Sequence, residues 1–288
     1  SGFHNMKLFT SLINTIKEHF RLKLIICFIL CAILPLLILG TISYKISYNI
    51  AKDKILKETA ISCEKNQHLL ENRMTQIENL EDSIHFNLCM LCTTAEQPMS
   101  NYLDKLSAVR NNIASIADSF NIYHVNIFLP DDTFASKEGL TFCSLSDLKK
   151  YKVQLSDFSK QGLTPNWIFR KDINFPYMVS KGEEPSGVLS CYRYAKINSQ
   201  KTCLAVHITS EELSNYLNTF SEGNPSLSYI INSEGVVLSS TDKKQIGGSL
   251  SNEKLHAITQ NLRLSHFSYD KCEIISTPVH NQLFLVTE

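Results

Sequence analysis

The sequence predicts an α+β protein: an N-terminal transmembrane helix that continues into a long stalk helix, followed by two small antiparallel-sheet subdomains. Three observations support this fold class. No charged residue occurs from Leu24 to Tyr44, neither proline nor glycine occurs over residues 45–92, and the rest of the chain contains short segments that alternate apolar and polar residues. The stalk helix and the strands can be distinguished because helix side chains share a face about every 3.6 residues and strand side chains every second residue.

The charge-free run from Leu24 to Tyr44 is long enough to span a membrane. A helix needs roughly 20 apolar residues to cross the hydrocarbon core, and a residue such as Pro35 is tolerated there as a kink. A buried core helix is usually shorter and shows a polar face. A signal peptide has an apolar region of roughly 7–15 residues and a small-residue cleavage site, which this run lacks. We therefore predict an uncleaved anchor over residues 24–44.

The orientation of the anchor rests on its flanking charges. Lysine and arginine occur on both sides of the run, so the positive-inside rule is nearly neutral. The short basic segment before the span favours a cytoplasmic N-terminus over residues 1–23. Residues 45–288 are then extracellular, on a cell-membrane protein with a single span in this chain. The residues before Met6 are interpreted as a cloning remnant or an upstream extension.

Residues 45–97 form the predicted stalk helix. Its far half has apolar residues at helical spacing, which predicts a stripe that packs against the rest of the domain: Leu70, Met74, Ile77, Ile84, Leu88 and Leu91. Its near half carries Ile50, Ile55 and Ile61 among many charges. A weak helical seam of this kind is compatible with pairing between two copies, so we expect a homodimer.

The first predicted sheet subdomain covers residues 98–208. Pro98 opens a helix over about 98–119, and "NIYHVNIFLP" then alternates as a strand that Pro130 stops. "SLSDLKKYKVQLSDF" is predicted to be helical, and "PNWIFRKD" and "YMVSK" to be short strands. "SGVLSCYRYAKI" and "KTCLAVHIT" predict a hairpin around "NSQK".

The second predicted sheet subdomain covers residues 209–288. Thr209 and Glu212 fit a capping box, which predicts a helix to about Phe220. "LSYIINSEGVVLSS" predicts a hairpin in which Gly235 supplies the positive φ that closes the turn. "NEKLHAITQ" predicts a short helix, and "HFSYDKCEIISTPV" and "NQLFLVTE" predict the closing strands.

Charge and cysteine content exclude several classes of function. Lysine plus arginine and aspartate plus glutamate both number 28, so there is no basic excess for nucleic-acid binding. Of nine cysteines, seven follow the predicted span at irregular spacing, which does not fit a disulfide framework. Cys89 and Cys92 form a CxxC pair, interpreted either as two ordinary thiols or as a local disulfide. No second pair has zinc-site spacing, so no metal is expected.

No catalytic motif is present in this sequence. GxSxG, HExxH and P-loop patterns are all missing, and Gly247-Gly248 lacks the lysine that phosphate binding requires. His207 stands alone on an alternating strand and is interpreted as a structural histidine. The sequence therefore predicts neither a cofactor nor a catalytic site within the chain.

The order of these parts resembles the double Cache (dCache) sensor module. "ILPLLILGTISYKIS" is similar to the first membrane span of YesM-type sensor histidine kinases. "NIYHVNIFLPDDTFASKEGLTFCSLSDLKK" is similar to their distal first strand and following loop, and "YIINSEGVVLSSTDKKQIGGSL" to their proximal PAS-like hairpin. The resemblance extends from Phe20 to Glu288 and implies two PAS-like (Cache) subdomains, the first distal and the second membrane-proximal.

The resemblance implies the extracellular signal-sensing region of a two-component sensor histidine kinase. In that family a second span, a HAMP linker and a dimeric kinase follow, and the kinase acts on a cytoplasmic response regulator. None of these parts is in this chain, so kinase activity would belong to the full-length protein. The same sensor also occurs with chemoreceptor, cyclase or AraC-type outputs, which remains the alternative, beside an anchored extracellular enzyme or binding protein.

The resemblance also implies a ligand pocket on the distal sheet, for which the candidate residues are Trp167, Tyr177, Tyr192 and Arg193. Trp167 would stack on a sugar or cap the pocket, and Arg193 would hold a carboxylate through paired N–H donors. The alternative is that the aromatic residues are core and Arg193 is a surface charge. The amino-acid-binding signature of the family, an Arg-x-Trp-Tyr run with a later Tyr-x-Asp, is missing. A carbohydrate or an extracellular solute-binding protein is therefore the favoured partner.

Overall fold

The structure is a computed structural model, and it describes residues 20–92, 99–130, 141–151, 166–171, 184–197, 200–217, 227–260, 263–280 and 283–288. The chain separates into two compact units, Ser1–Glu58 and Thr59–Glu288. The first helix, α1, covers Phe20–Cys92 and contributes residues to both units.

Within the first unit, residues 24–44 of α1 carry no charged side chain on any side of the helix. Large side chains are mostly exposed, Phe28 by 71% and Leu36 by 69%, and the helix is continuous through Pro35. Among the described residues, one helix is long and apolar enough to cross a membrane, judged by length and composition, and it is part of α1. Such a surface is unfavourable in water, whereas lipid tails would cover it. This agrees with the predicted span.

The part of α1 in the second unit buries the predicted apolar stripe. Five of the six stripe residues, which recur every three to seven positions, are fully buried: Leu70, Met74, Ile77, Ile84 and Leu88. The Leu91 side chain lies outside the described residues. Asn66, Arg73 and Glu81 are buried on the same side of the helix, which the stripe did not predict. These polar positions are where α1 meets other parts of the unit.

The first subdomain begins with a second helix, α2 (Met99–Ser119), and contains a five-stranded sheet. Its strands are β1 (His124–Leu129), β2 (Phe142–Ser144), β3 (Asn166–Arg170), β4 (Val188–Ile197) and β5 (Gln200–Thr209), in the spatial order β2-β1-β5-β4-β3. β4 and β5 pair from Val188↔Thr209 to Ile197↔Gln200, so the hairpin around "NSQK" is confirmed.

Two details of the first subdomain differ from the sequence prediction. β2 was not predicted, and it pairs with β1 in parallel, whereas all other pairs in this sheet are antiparallel. A three-residue strand leaves too short a pattern to recognise. A 3-10 turn over Leu145–Tyr151 occupies the start of the predicted helix. The predicted strand "YMVSK" lies outside the described residues.

A short helix, α3 (Ser210–Ser214), joins the two sheets. The Thr209 hydroxyl accepts a hydrogen bond from the Glu212 amide at 3.1 Å, so the predicted capping box is confirmed at its first half. The helix is shorter than predicted because the amides of residues 215–217 bond to carbonyls three residues back. The Ser210 hydroxyl donates to the Leu238 carbonyl and thereby fixes α3 to the next sheet.

The second subdomain contains another five-stranded sheet and the helix α4 (Asn252–Thr259). Its strands are β6 (Ser228–Ile231), β7 (Val237–Ser240), β8 (Ser265–Tyr269), β9 (Cys272–Val279) and β10 (Leu283–Thr287), in the order β7-β6-β10-β9-β8. This order repeats that of the first sheet. All its pairs are antiparallel.

The β6–β7 hairpin is confirmed together with its turn. Gly235 has a φ of +79°, which a side chain would strain. The Asn232 side-chain oxygen accepts from the amides of Glu234 and Val236 and holds the loop closed. The structure therefore has the predicted fold class: a long N-terminal apolar helix followed by two antiparallel-sheet subdomains.

Candidate ligand-binding site

The two faces of the first sheet have different chemistry. Successive side chains of a strand point to opposite faces. Cys191 and Arg193 of β4 bond to α1, so one face lies on α1, and Ser190 and Tyr192 point to the other side. We call these the α1 face and the far face.

Three buried polar side chains form a row across the far face. The Ser190 hydroxyl donates to Nδ1 of His207 at 2.7 Å, and Nε2 of His207 donates to Oδ1 of Asn126 at 2.9 Å. The Asn126 amide nitrogen in turn donates to the Cys143 thiol at 3.6 Å, which sets the orientation of the amide. Each member of this polar row, Ser190, His207 and Asn126, is at most 1% exposed.

His207 is neutral in this environment. Its pKa is lowered well below the usual value, first by burial and then by the nearby charges of His124 and Arg170. A neutral ring has one N–H donor and one acceptor, which is what the polar row requires. These contacts agree with the interpretation of His207 as a structural histidine.

Tyr192 lies beside the polar row on the far face. Its ring meets the His207 ring edge to face at a centroid distance of 6.1 Å, and it is fully buried. Burial raises the pKa of the Tyr192 phenol to about 12, with a smaller opposing effect from the nearby Arg170 charge. Arg170 of β3 therefore brings a cation to the edge of the polar row.

Trp167 and Arg193 lie on the α1 face. The Trp167 indole N–H donates to Oε1 of Glu78 at 3.0 Å. Arg193 forms an ion pair with Asp82, approaches Oε2 of Glu81 at 3.4 Å and donates to the Glu78 carbonyl. Both side chains therefore bind to consecutive turns of one helix.

Glu81 is the most deeply buried carboxyl of this contact. It is fully buried, and burial raises its pKa to about 8, although the Arg193 charge opposes the shift. The Cys191 thiol donates to Oε2 of Glu81 at 3.4 Å. Burial, and next the Glu81 charge, raise the pKa of the Cys191 thiol well above its usual value. The contact between β4 and α1 therefore contains two titratable groups, Glu81 and Cys191, that are shielded from water.

The predicted pocket residues do not lie together on one face. Tyr192 is on the far face, Trp167 and Arg193 are on the α1 face, and Tyr177 lies outside the described residues. Their predicted role in ligand binding stays a prediction. Sequence reasoning did not identify Ser190 or Asn126, because single serine and asparagine residues in strands have no distinctive pattern.

The CxxC pair is described only at its first cysteine. The Cys89 sulfur is 3.7 Å from Nε2 of His85. The Cys92 side chain lies outside the described residues. Among the residues that the structure describes, no group of three or more His, Cys, Asp or Glu side chains is arranged to hold a metal ion.

The chain resembles solved sensory domains of signalling proteins. The periplasmic sensory domain of the Campylobacter jejuni chemoreceptor Tlp1 aligns with a TM-score of 0.58 at 15% identity, over 81% of this chain and 95% of that domain. The extracellular domain of the candidate histidine kinase rpHK1S-Z16 aligns with a TM-score of 0.55 at 14% identity, over 84% and 95%.

A third solved domain was crystallised with a ligand. The sensory domain of the Campylobacter jejuni chemoreceptor Tlp3, with isoleucine bound, aligns with a TM-score of 0.53 at 14% identity, over 82% of this chain and 93% of that domain. At these identities the likeness establishes the fold. No family model and no curated protein matches the chain.

Proposed function

We propose that this chain is the extracellular sensor region of a double Cache membrane receptor of the YesM type, whose output is a histidine kinase acting on a response regulator. The order of elements carries the proposal. An apolar helix of membrane-spanning length is followed by two sheets with the same strand order, in a fold shared with periplasmic and extracellular sensory domains. That fold and the far face of the first sheet support this function.

A chemoreceptor is the second candidate output, because Tlp1 and Tlp3 are chemoreceptors with this fold. An AraC-type output is a further alternative of the same class. The coding sequence downstream of Glu288 tests the choice. A dimerisation helix with a phosphoacceptor histidine and an ATP-binding domain supports the kinase, whereas a long signalling coiled coil or a DNA-binding domain would overturn it.

We place the ligand at the far face of the first sheet. Burying polar side chains is unfavourable unless they are hydrogen-bonded, so an apolar face would be the simpler way to build a core. Polar groups with shifted pKa values concentrate at functional sites, and His207 and Tyr192 are both of this kind. Arg170 and His124 then offer donors to a ligand beside them.

The ligand proposed for this face is a small polar molecule. Ligand pockets combine apolar walls with a few placed polar groups, and the far face supplies Phe128, Val188 and Ala205 as walls. Hydroxyl and carboxylate groups of a carbohydrate or an organic acid would accept from the Arg170 guanidinium. A solute-binding protein that presents such a molecule is the alternative partner.

A homodimer is proposed along α1. Ile61, Phe86 and Met90 are each at least 58% exposed, and at about 100° per residue they fall within about 40° of one another around the helix. Ile50 and Ile55 of the first unit are also exposed. Large exposed apolar residues on one side of a helix favour pairing with a partner helix.

Signal transmission is proposed to be a rigid-body shift. Binding at the first subdomain would move the second sheet against α1, and in a dimer this movement would displace the membrane span. Packed helices and sheets support such two-state shifts because their contacts change in discrete steps.

A thermal-shift screen of the whole chain in lipid nanodiscs tests the binding proposal. Trp167 is the only tryptophan, so its fluorescence reports unfolding of the first subdomain directly. The panel contains sugars, organic acids and amino acids. A ligand at about 100 times its Kd stabilises the folded state by about 2.7 kcal/mol, which raises the melting temperature by several degrees.

Three variants give the screen its specificity. Arg170→Gln and Tyr192→Phe, both at the far face, are expected to lose the shift. Tyr269→Phe, the matched loss of a hydroxyl in the second subdomain, is expected to retain it. A shift that survives in both far-face variants would overturn the assignment of the face, and no shift from any compound would favour a protein partner.

A further inference from the structure

One carboxylate oxygen on α1 receives hydrogen bonds from both subdomains. Oε1 of Glu78 accepts from the Trp167 indole N–H at 3.0 Å and from Nε2 of His280 at 2.9 Å. Trp167 lies in β3, the edge strand of the first sheet, and His280 directly follows β9 of the second sheet. Two residues that are far apart in the chain are therefore held by a single oxygen atom.

The Trp167 indole nitrogen can only donate, so Oε1 of Glu78 is the acceptor of that bond. His280 donates to the same oxygen in the tautomer that carries its hydrogen on Nε2. The Glu78 side chain is 15% exposed and that of His280 33% exposed. Hydrogen bonds that are shielded from bulk water are stronger than those between solvated groups.

Glu78 lies where the contacts of the two sheets along α1 meet. The first sheet bonds to α1 at Glu78 and, one turn further along, at Glu81 and Asp82. The second subdomain bonds to α1 at Gln67, through Thr277, and again at Glu78, through His280. Among the described residues of α1, Glu78 is therefore the position that side chains from both subdomains contact.

Sharing one acceptor makes the two contacts interdependent. Holding the Glu78 side chain in one rotamer has an entropic cost, and each hydrogen bond is favoured once the other has ordered that side chain. Loss of the Trp167 bond releases the carboxylate and weakens its hold on His280, and the reverse is also true. Contacts of this type are non-additive in double-mutant cycles.

We propose that Glu78 is the positioning residue that couples the first subdomain to the second. This deepens the proposed sensor function, on which it rests, by naming the atom through which a movement of β3 reaches the end of β9. A ligand that shifts β3 by a fraction of an ångström alters the Trp167–Glu78 bond, and the His280 contact responds.

Hydrogen–deuterium exchange of the whole chain in nanodiscs, without ligand, tests the coupling. Trp167→Phe keeps most of the aromatic packing and removes the N–H donor. It is expected to raise amide exchange in β9 and at His280, on the order of twofold to tenfold. Ile168→Val, the neighbouring position on the opposite face of β3, is the matched control and should change exchange in the first sheet alone.

The decisive comparison is made in a Glu78→Ala background. There Trp167→Phe is expected to have no further effect on β9, because the shared acceptor is gone. If Glu78→Ala does not fold, His280→Phe serves as the background and gives the same expectation. A Trp167→Phe effect that is confined to the first sheet, or one on β9 that persists in these backgrounds, would overturn the coupling role.

The outcome is separable from that of the ligand screen. A ligand that binds while the exchange coupling is absent would leave the sensor function standing and remove Glu78 from it. Exchange coupling without any ligand response would retain the role of Glu78 within the fold and count against direct sensing of a small molecule.

Discussion

The two sheets share one strand order and differ in what they bury. On the side of the second sheet away from α1, two buried serines, Ser240 and Ser276, lie among a larger set of apolar and aromatic side chains. That set is Tyr229, Ile231, Val237, Ile258, Ile274, Phe284 and Val286. The first sheet has Asn126, Ser190 and His207 in the corresponding position. A polar row contributes less to stability than apolar packing would, so its presence in one of two similar sheets indicates a functional difference. The comparison supports the first sheet as the sensor and the second as a support.

The contacts of the two sheets with α1 differ as well, and this difference predicts a large pH effect. The first sheet contacts α1 through Glu81, whose pKa is raised by burial from 4.5 to about 8, whereas the second contacts α1 through the uncharged pair Gln67 and Thr277 and through His280 on Glu78. The folded protein binds the Glu81 proton more tightly than the unfolded chain does. Its stabilising contribution is therefore complete below about pH 4.5 and is lost as the pH rises to about 8.

We expect the free energy of unfolding of the first subdomain to fall by on the order of 4 kcal/mol across that range. Urea unfolding followed by Trp167 fluorescence measures it. Glu81→Gln, which retains the shape and cannot ionise, should remove most of this dependence. An unchanged pH dependence in Glu81→Gln would show that another group is responsible.

The apolar core of the second sheet should be sensitive to truncation and indifferent to ligand. Ile274→Ala removes a fully buried side chain and is expected to lower the free energy of unfolding by about 3 kcal/mol. Far-ultraviolet circular dichroism during urea unfolding measures the change, with the 41% exposed Leu264→Ala as control. A ligand-induced thermal shift that disappears in Ile274→Ala, at a temperature where the variant is folded, would argue against the division of roles.

The polar row of the first sheet should give a smaller loss of stability and a complete loss of response. His207→Leu leaves the Ser190 hydroxyl and the Asn126 carbonyl oxygen without this partner, which costs about 2 kcal/mol. The triple variant Ser190→Ala, His207→Leu and Asn126→Leu removes all three polar groups together. It should recover part of the stability without restoring ligand binding. Ligand binding that is unaffected in the triple variant would exclude the polar row from the site.

Local features of the fold were predictable from the sequence, and non-local ones were not. The hairpins around "NSQK" and Asn232–Gly235 follow from turn residues between two alternating runs. The parallel pair β1–β2 depends on contacts between residues 15 positions apart in the chain, such as Ile127 and Phe142, which periodicity does not encode. The common strand order of the two sheets is equally a result of long-range packing.

The candidate site shows a similar limit. Tyr192 and Arg193 are adjacent on β4, so strand alternation alone excludes a shared face for them. The pairing of Trp167 with Cys191 then assigns Trp167 to the α1 face, which required the register. The sequence did not identify Glu78, Glu81 and Asp82 as partners of the first sheet, because charges on a helix have no pattern that distinguishes a buried partner from water.

The most direct test measures where in the chain a bound ligand slows the hydrogen exchange of backbone amides. Hydrogen–deuterium exchange of the whole chain in nanodiscs is compared with and without the compound that gives the largest thermal shift. We predict slower exchange in β1, β4 and β5 around Asn126, Ser190 and His207, with smaller changes at the end of β9. Protection confined to the β6–β7 hairpin and α4, with none in the first sheet, would contradict the assignment of the first sheet as the sensor.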